Sequence, residues 1–314
     1  MLREAGFDVA AVDSFATPEA RELLRTADAL MVKLQRVPEP LLDQLKQCRI
    51  VTRVGTGYDT IDTDAAACRG IWVTNVPDYS IDEVSTHALT LMLALNRNLH
   101  AHLVATANGD WRYLPDPPIK RLNGMKVGVL GAGRNGGAMI RKSRGIGLRV
   151  IAHDPFIPEE AIEANGAEPV DFDTLMRASD FLSLHVPLTD ATRGLIDANA
   201  LDKMKPTAYL INTARGEVVD VNAVVRAVRS QSIAGAALDV FPEEPLPLDS
   251  DVIREPRILV TPHIGWASEE AAVDVRRRGA EDVVRVLRGE RPKYPVNDLS
   301  LQADHAAMEG VPSV

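Results

Sequence analysis

Three ionisable groups stand directly after three short apolar runs in the second half of the chain. Arg215 follows "AYLINT", Asp239 with Glu243 and Glu244 follow "AGAAL" in DVFPEEPLP, and His263 follows "RILV" in TPHIG. If the runs are strands of one parallel sheet, their carboxyl ends share an edge, and open α/β sheets bind ligands at that edge. A charge at the end of a buried strand is costly unless something neutralises it. An arginine grips a carboxylate through two parallel N–H groups. A histidine exchanges protons near neutral pH, and a neighbouring carboxylate orients it and favours its charged form. Singly, each residue has an ordinary structural explanation, an ion pair for the arginine and a turn for the histidine. Their convergence on one edge points to chemistry.

A cofactor site adjoins them. In KVGVLGAGRNGGAMIRKSRGIGLRVIAHDP the apolar run KVGVL leads into Gly131-Ala132-Gly133-Arg134-Asn135-Gly136, a helical pattern follows, and a second run ends at Asp154, 18 residues after Gly136. Glycines in this strand–turn–helix setting permit a tight turn and bring backbone close to a pyrophosphate at the helix N-terminus. Asp154 would accept hydrogen bonds from the adenosine ribose and would repel a 2′-phosphate, so the cofactor is expected to be NAD. Beside a nicotinamide, the three groups match what reduction of a 2-keto acid needs. A cation holds the carboxylate, an acid protonates the carbonyl oxygen as hydride arrives, and a carboxylate holds the acid.

The elements needed to place these groups are legible as two blocks of alternating strand and helix signals. The first contains FDVAAV, DALMV, RIVTRV and IWVTNV; the second contains KVGVL, LRVIAHD, DFLSLHV, AYLINT, AGAALDV and RILVTPH. Such alternation predicts parallel, doubly wound sheets. Between the blocks, Ser80 to Gly109 reads as a long helix, with Ser80 as N-cap and Glu83 at capping-box spacing. DWRYLPDPPIKRLNG then reads as a loop, and Ser268 to Gly289 as a second long helix. The chain is therefore expected to leave its first domain and return to it. One domain would comprise 1–99 with 286–314, and the other 100–285.

Bulk properties bound the function. The 314 residues suffice for two domains, and a hydrophobic fraction of 46% with 25% charged residues describes a globular protein. A formal net charge of −9 argues against nucleic acid as the main partner. No apolar run approaches the roughly 18 residues that span a bilayer, and the N-terminus lacks a secretory pattern. Cys48 and Cys68 lack metal-ligand spacing, so no metal is expected, and reduced thiols in the cytoplasm are. The basic stretch VRRRGAEDVVRVLRGER repeats its apolar residues at helical spacing and reads as a solvated helix face.

The chain resembles the D-isomer-specific 2-hydroxyacid dehydrogenase family over nearly its whole length. GAGRNG, HVPLTDATRGLI, INTARGEVVD, GAALDVFPEEPLP and TPHIG carry the resemblance, and NVPDYSIDEV with TPHIGWASEEA is similar to the bacterial branch related to C-terminal-binding proteins and phosphoglycerate dehydrogenases. The resemblance implies a Rossmann NAD domain inserted in a discontinuous, flavodoxin-like substrate domain, with the active-site cleft between them. It implies the triad Arg215, Glu244 and His263, spaced 29 and then 19 residues apart, the Glu-Pro pair selecting Glu244 over Glu243. It places Pro187, Thr192, Thr213, Ala214, Asp239 and Gly265 with the glycine loop around the cofactor. It gives Lys33, Gly55, Thr56 and Gly57 to the substrate carboxylate and Trp266 to a wall of the side-chain pocket. It also implies a homodimer formed through the NAD domains. Two positions depart from the family pattern: Asn135 stands where an aliphatic residue is usual, and Thr86 where an acidic one is.

The resulting expectation is NAD-dependent interconversion of a small D-2-hydroxy acid and its 2-keto acid. The alternative is an NAD-sensing scaffold resembling the C-terminal-binding corepressors, which keep the triad. Formate dehydrogenases are disfavoured because they carry glutamine where Glu244 stands; the triad leaves a phosphite-oxidising relative open. Met1 opens inside a helical pattern that the resembling family precedes with a strand, so the natural start is expected about 15–25 residues earlier, one strand plus half a helix. The tail LQADHAAMEGVPSV is the competing occupant of that strand's place. For the cofactor, kcat/KM with NADH should exceed that with NADPH by more than tenfold, because the repulsion at Asp154 is worth more than about 1.4 kcal/mol. Steady-state rates with the two cofactors check this, and equal values would contradict the role given to Asp154.

Overall fold

The structure, a computed structural model, describes residues 1–111 and 119–299. They form two compact units, 1–79 with 268–299, and the described part of Ser80–Ala267. Part of the loop DWRYLPDPPIKRLNG and the tail LQADHAAMEGVPSV lie outside the described residues.

The first unit holds β1 (Ala29–Val32), β2 (Ile50–Arg53) and β3 (Trp72–Thr74), all parallel, in the spatial order β1-β2-β3. One face buries Val51 and Val73 against Leu24, Leu42 and Ile71. The other buries Ile50 beneath Val283 and Val286 of the helix Glu269–Leu287. Gly279 lets that helix come close, since a methyl there would sit 3.1 Å from the Thr52 methyl carbon. As expected from the sequence, Ser268 caps this helix by accepting a hydrogen bond from the Ala271 amide. FDVAAV, expected as a strand, forms none. Asp8, Val9 and Val12 are exposed and no strand among the described residues pairs with them, and an alternating pattern alone does not make a strand without a ladder.

The second unit holds β4 (Lys126–Leu130), β5 (Arg149–His153), β6 (Glu168–Pro169), β7 (Phe181–Leu184), β8 (Tyr209–Asn212), β9 (Gly235–Leu238) and β10 (Ile258–Val260). Their spatial order is β10-β9-β8-β7-β4-β5-β6, every neighbouring pair is parallel, and all carboxyl ends share one edge. The six runs anticipated in the sequence are all strands; the two-residue β6 was too short to show a pattern. After β4 the chain builds outward to β5 and β6, then returns to place β7 on the other side. The order thus reverses between β4 and β7, where such sheets open a crevice for a ligand.

The division falls elsewhere than at 99/100 and 285/286. The helix Ile81–Asn96 lies in the second unit because Ala88, Leu91, Met92 and Leu95 pack on Val127, Val129 and Ile140. The helix Glu269–Leu287 lies in the first because its apolar stripe covers Ile50. The long helix expected from Ser80 to Gly109 is two helices, Ile81–Asn96 and Leu99–Ala107. Asn98 between them takes φ 48°, a left-handed conformation that asparagine tolerates better than most residues. Ser80 holds the N-cap position but makes no side-chain capping bond. The first turn is held instead by Lys142, whose ammonium donates to the Asp82 carbonyl, the Asp82 carboxylate and Thr86. That contact gives the unusual Thr86 a local role. If Met92 anchors the helix Ile81–Asn96 to the second unit, Met92→Ala should cost about 2–5 kcal/mol for a fully buried side chain, read as a lower urea midpoint with an unchanged slope.

Candidate active site

The glycine loop joins β4 to the helix Arg134–Gly145. Gly131 has φ 91°, and a side chain there would meet the Val186 amide at 2.8 Å. At Gly136 a Cβ would fall 1.8 Å from the Gly131 carbonyl oxygen, so only hydrogen fits where the helix turns back on the loop. Gly133 is different: nothing lies within 4 Å of the place its Cβ would take, and both it and Arg134 are exposed. Asn135 is half-buried. Gly133 is also the N-cap and supplies no capping side chain, so the first-turn amides keep their pull on an anion. The Gly131 amide donates to the His153 carbonyl, and Asp154 Oδ2 accepts from the Ala132 amide at 2.8 Å, which ties the loop to the end of β5. The other oxygen, Oδ1, accepts from Phe156. Each carboxylate oxygen has two lone pairs, so room remains for ribose hydroxyls.

At the end of β7, burial pushes His185 down to about 4, and its neutral ring is within 2.9 Å of the Ser183 hydroxyl. The following turn closes on itself: Thr192 donates to the Pro187 carbonyl and accepts from the Thr189 amide. At the end of β8, the buried Asn212 staples the INTARG turn. Its Oδ1 accepts from the Ala214 amide at 3.0 Å and its Nδ2 donates to the Arg215 carbonyl at 2.9 Å. Arg215 is half-buried and donates to the Ala214 carbonyl. Gly216 follows because a Cβ there would fall 2.0 Å from the Phe241 carbonyl carbon. That close approach sets the arginine turn against the segment leading to Glu244.

Glu244 and His263 meet at the ends of their two segments. His263 Nδ1 lies 2.7 Å from Glu244 Oε2, and Glu244 Oε1 accepts from the Phe241 amide. Burial raises the Glu244 carboxyl, but the hydrogen bonds from His263 and Phe241 outweigh it and hold the group below the usual carboxylate range. An ionised Glu244 must accept from Nδ1–H, which leaves Nε2 of the ring to exchange a proton with a ligand. Neither residue is sealed away, the side chains being 31% and 29% exposed.

Asp239 is buried at 1% exposure and organises the turn that carries His263. Its carboxylate accepts from the Thr261 hydroxyl, the Ile264 amide and the Gly265 amide, and its backbone carbonyl accepts from the His263 amide. The resemblance places Asp239 with the cofactor, and its bonds give it a role within the protein as well. His87, on the helix Ile81–Asn96, joins this group and was not foreseen. A single histidine within an apolar helical stripe reads as core, and its partners are Thr261, 174 residues away, and Asp239. Arg53 was also missed, although it leaves the end of β2 as Arg215 leaves β8. It is half-buried, donates to the Val54 carbonyl, and occupies the space that a side chain at Gly55 would need.

The remaining first-unit residues lie at the carboxyl ends of its strands. Lys33 follows β1 and is exposed. Gly55, Thr56 and Gly57 follow β2; the Gly55 amide is taken by the Arg53 carbonyl, and Asn75 donates to the Thr56 carbonyl. Trp266 lies in the second unit, half-buried after the His263 turn.

The second-unit edge fits a dinucleotide on its own features. Gly133 leaves open space at an uncapped helix N-terminus, and Thr213 Oγ1 at the end of β8 is buried with no hydrogen-bond partner. Among the described residues no cluster suited to a metal ion occurs, and no helix is long and apolar enough to cross a membrane. A bound nicotinamide would supply or accept the hydride. The protein's own groups offer a guanidinium for a carboxylate and an oriented imidazole for a proton.

Comparison with known proteins agrees with this geometry. Residues 89–265 match the model of the D-isomer specific 2-hydroxyacid dehydrogenase NAD binding domain. A glyoxylate reductase of Thermococcus litoralis is 38% identical over 283 residues, 88% of this chain and 85% of that one. A D-3-phosphoglycerate dehydrogenase of Methanocaldococcus jannaschii is 36% identical over 95% of this chain, which spans 56% of that longer protein. Among solved structures, the TT0316 protein of Thermus thermophilus matches with a TM-score of 0.85 at 30% identity, covering 94% of each chain. A D-lactate dehydrogenase of Aquifex aeolicus, solved with NAD and lactic acid, matches with a TM-score of 0.81 at 26% identity over 99% of this chain and 96% of that one. With its glycine loop, its paired Glu244 and His263 and these relatives, the chain belongs to the D-isomer-specific 2-hydroxyacid dehydrogenase family and is an NAD-dependent oxidoreductase of that family.

Proposed function

We propose that this enzyme reduces a small 2-keto acid, with glyoxylate the first to test, and runs the reverse oxidation on the corresponding 2-hydroxy acid. The observation that carries the reading is the 2.7 Å pair of His263 Nδ1 and Glu244 Oε2, which leaves Nε2 as the proton-exchanging atom. Arg215 binds the substrate carboxylate and polarises the adjacent carbonyl. His263 protonates the carbonyl oxygen in reduction and takes the proton back in oxidation. Glu244 orients the ring and stabilises its charged form. In this reading Ser80–Ala267 is the NAD domain, with the glycine loop, Arg134, Asn135, Asp154, Pro187, Thr192, Thr213, Ala214 and Gly265 around the cofactor. The first unit is the substrate domain, contributing Lys33, Gly55, Thr56 and Gly57, and Trp266 bounds the side-chain pocket.

A homodimer through the NAD domain belongs to the same proposal. The helix Leu99–Ala107 buries none of its residues and exposes Leu99, Leu103 and Val104 at 48%, 61% and 46%, a surface suited to a second copy. A cytoplasmic location accords with the free thiols Cys48 and Cys68. The scaffold reading is disfavoured by the relatives, which are named as reductases and dehydrogenases.

A panel of 2-keto acids with NADH oxidation followed optically tests the assignment. His263→Ala should lower kcat by roughly 10²–10⁴, the usual loss for an acid–base group. Arg215→Ala should raise KM and lower kcat together, since a carboxylate clamp acts in both ground and transition states. Glu244→Gln should lower kcat, because an amide no longer obliges Nδ1 to carry the hydrogen and Nε2 is no longer fixed as the proton-exchanging atom. Wild-type turnover by the His263 variant would sink the mechanism, and no turnover of any keto acid by the wild type would favour the scaffold.

A further inference from the structure

The turn that presents His263 is held from outside its own loop. His87 projects from the helix Ile81–Asn96, and its Nε2 lies 3.0 Å from Thr261 Oγ1 and 3.3 Å from Asp239 Oδ1. Thr261 gives its one hydroxyl proton to Asp239 Oδ1, so toward His87 the hydroxyl oxygen can only accept. That fixes the hydrogen on Nε2 of His87. Asp239 in turn accepts from the amides of Ile264 and Gly265, the two residues after His263. Gly265 packs against the same pair: a Cβ there would lie 2.9 Å from Asp239 Oδ2 and 3.3 Å from His87 Cδ2. His263 itself has φ 55°, a left-handed conformation that a non-glycine residue keeps only when its surroundings over-determine it.

We propose that His87 is a positioning residue for the reaction: through Thr261 and Asp239 it locks the 261–265 turn in the conformation that points His263 Nδ1 at Glu244. The inference rests on the reading of His263 as the acid–base group. It goes beyond that reading by adding a residue from a different element, far away in sequence. His87 touches neither member of the Glu244–His263 pair. It acts by donating to Thr261 and Asp239, and losing that donor leaves the Thr261 oxygen and one Asp239 lone pair unsatisfied in a buried place. The turn then has fewer bonds holding its left-handed residue. Small displacements of an acid–base group are expensive in rate, since about 1 Å of misplacement can cost two orders of magnitude.

The test uses the full chain with NADH and glyoxylate as probe, and compares His87→Ala with His87→Gln, whose amide can donate from near the Nε2 position. In the alanine variant kcat should fall about tenfold or more while KM for glyoxylate and the affinity for NADH stay within about threefold, the split expected of misplaced chemistry rather than lost binding. Amide hydrogen exchange at Ile264 and Gly265 should rise about tenfold, with the strands β4, β7 and β8 unchanged. The glutamine variant should recover most of both. Wild-type kcat in the alanine variant, unchanged exchange at 261–265, or exchange raised throughout the sheet with no rescue by glutamine would each overturn the proposal. If the wild type reduces no keto acid, the proposed function fails separately, and the exchange measurement still decides whether His87 holds the turn.

Discussion

A buried carboxylate at the end of β9 holds the carboxyl edge of the larger sheet together. Asp239 receives a hydroxyl, two turn amides and the His87 imidazole on its side chain, and its own amide donates to the Asn212 carbonyl on the neighbouring strand end. One residue thereby joins β8, β9, the turn after β10 and the helix Ile81–Asn96. Burial disfavours its charge, yet the hydrogen bonds from His87, Thr261, Gly265 and Ile264 outweigh burial and hold the group below the usual carboxylate range. Glu244 is held low in the same way. A carboxyl whose folded-state value is depressed stabilises the fold fully above its unfolded value and loses that contribution as pH falls through the folded one. Both groups therefore tie the integrity of this edge to their ionised forms, and acid loosens the turn and the Glu244–His263 pair together.

The sequence showed the sheet edge more clearly than the contacts that fix it. Parallel strands buried on both faces appear as short apolar runs, and residues following those runs must collect at one edge, so Arg215, Glu244 and His263 could be grouped without a structure. The glycine loop was legible because each glycine answers a separate steric demand, and two of the three cases are plain: a positive φ at Gly131 and a contact with no room for a methyl at Gly136. The contacts from His87 and Lys142 were not legible. Both act on partners far away in sequence, and neither residue type announces such a role within a helix. Ser80 holds the N-cap place without a side-chain bond, and a tertiary bond from Lys142 reaches the first turn. The domain boundary was misplaced for a related reason. The stripe Ala88, Leu91, Met92 and Leu95 shows that the helix buries a face, and only the fold shows which sheet receives it.

The question raised by an arginine at a strand end is answered in part by geometry that recurs in the two units. Arg53 leaves β2 and Arg215 leaves β8, each followed within two residues by a glycine, and each guanidinium donates to a carbonyl beside it in the chain, Val54 or Ala214. The glycines act differently. Gly55 leaves space that the Arg53 side chain fills, whereas Gly216 brings the arginine turn against Phe241 and so toward the segment of Glu244. A carbonyl satisfies one N–H of a guanidinium that has five, and it carries no net charge. The contact with a neighbouring carbonyl sets the direction in which each half-buried guanidinium leaves its strand end.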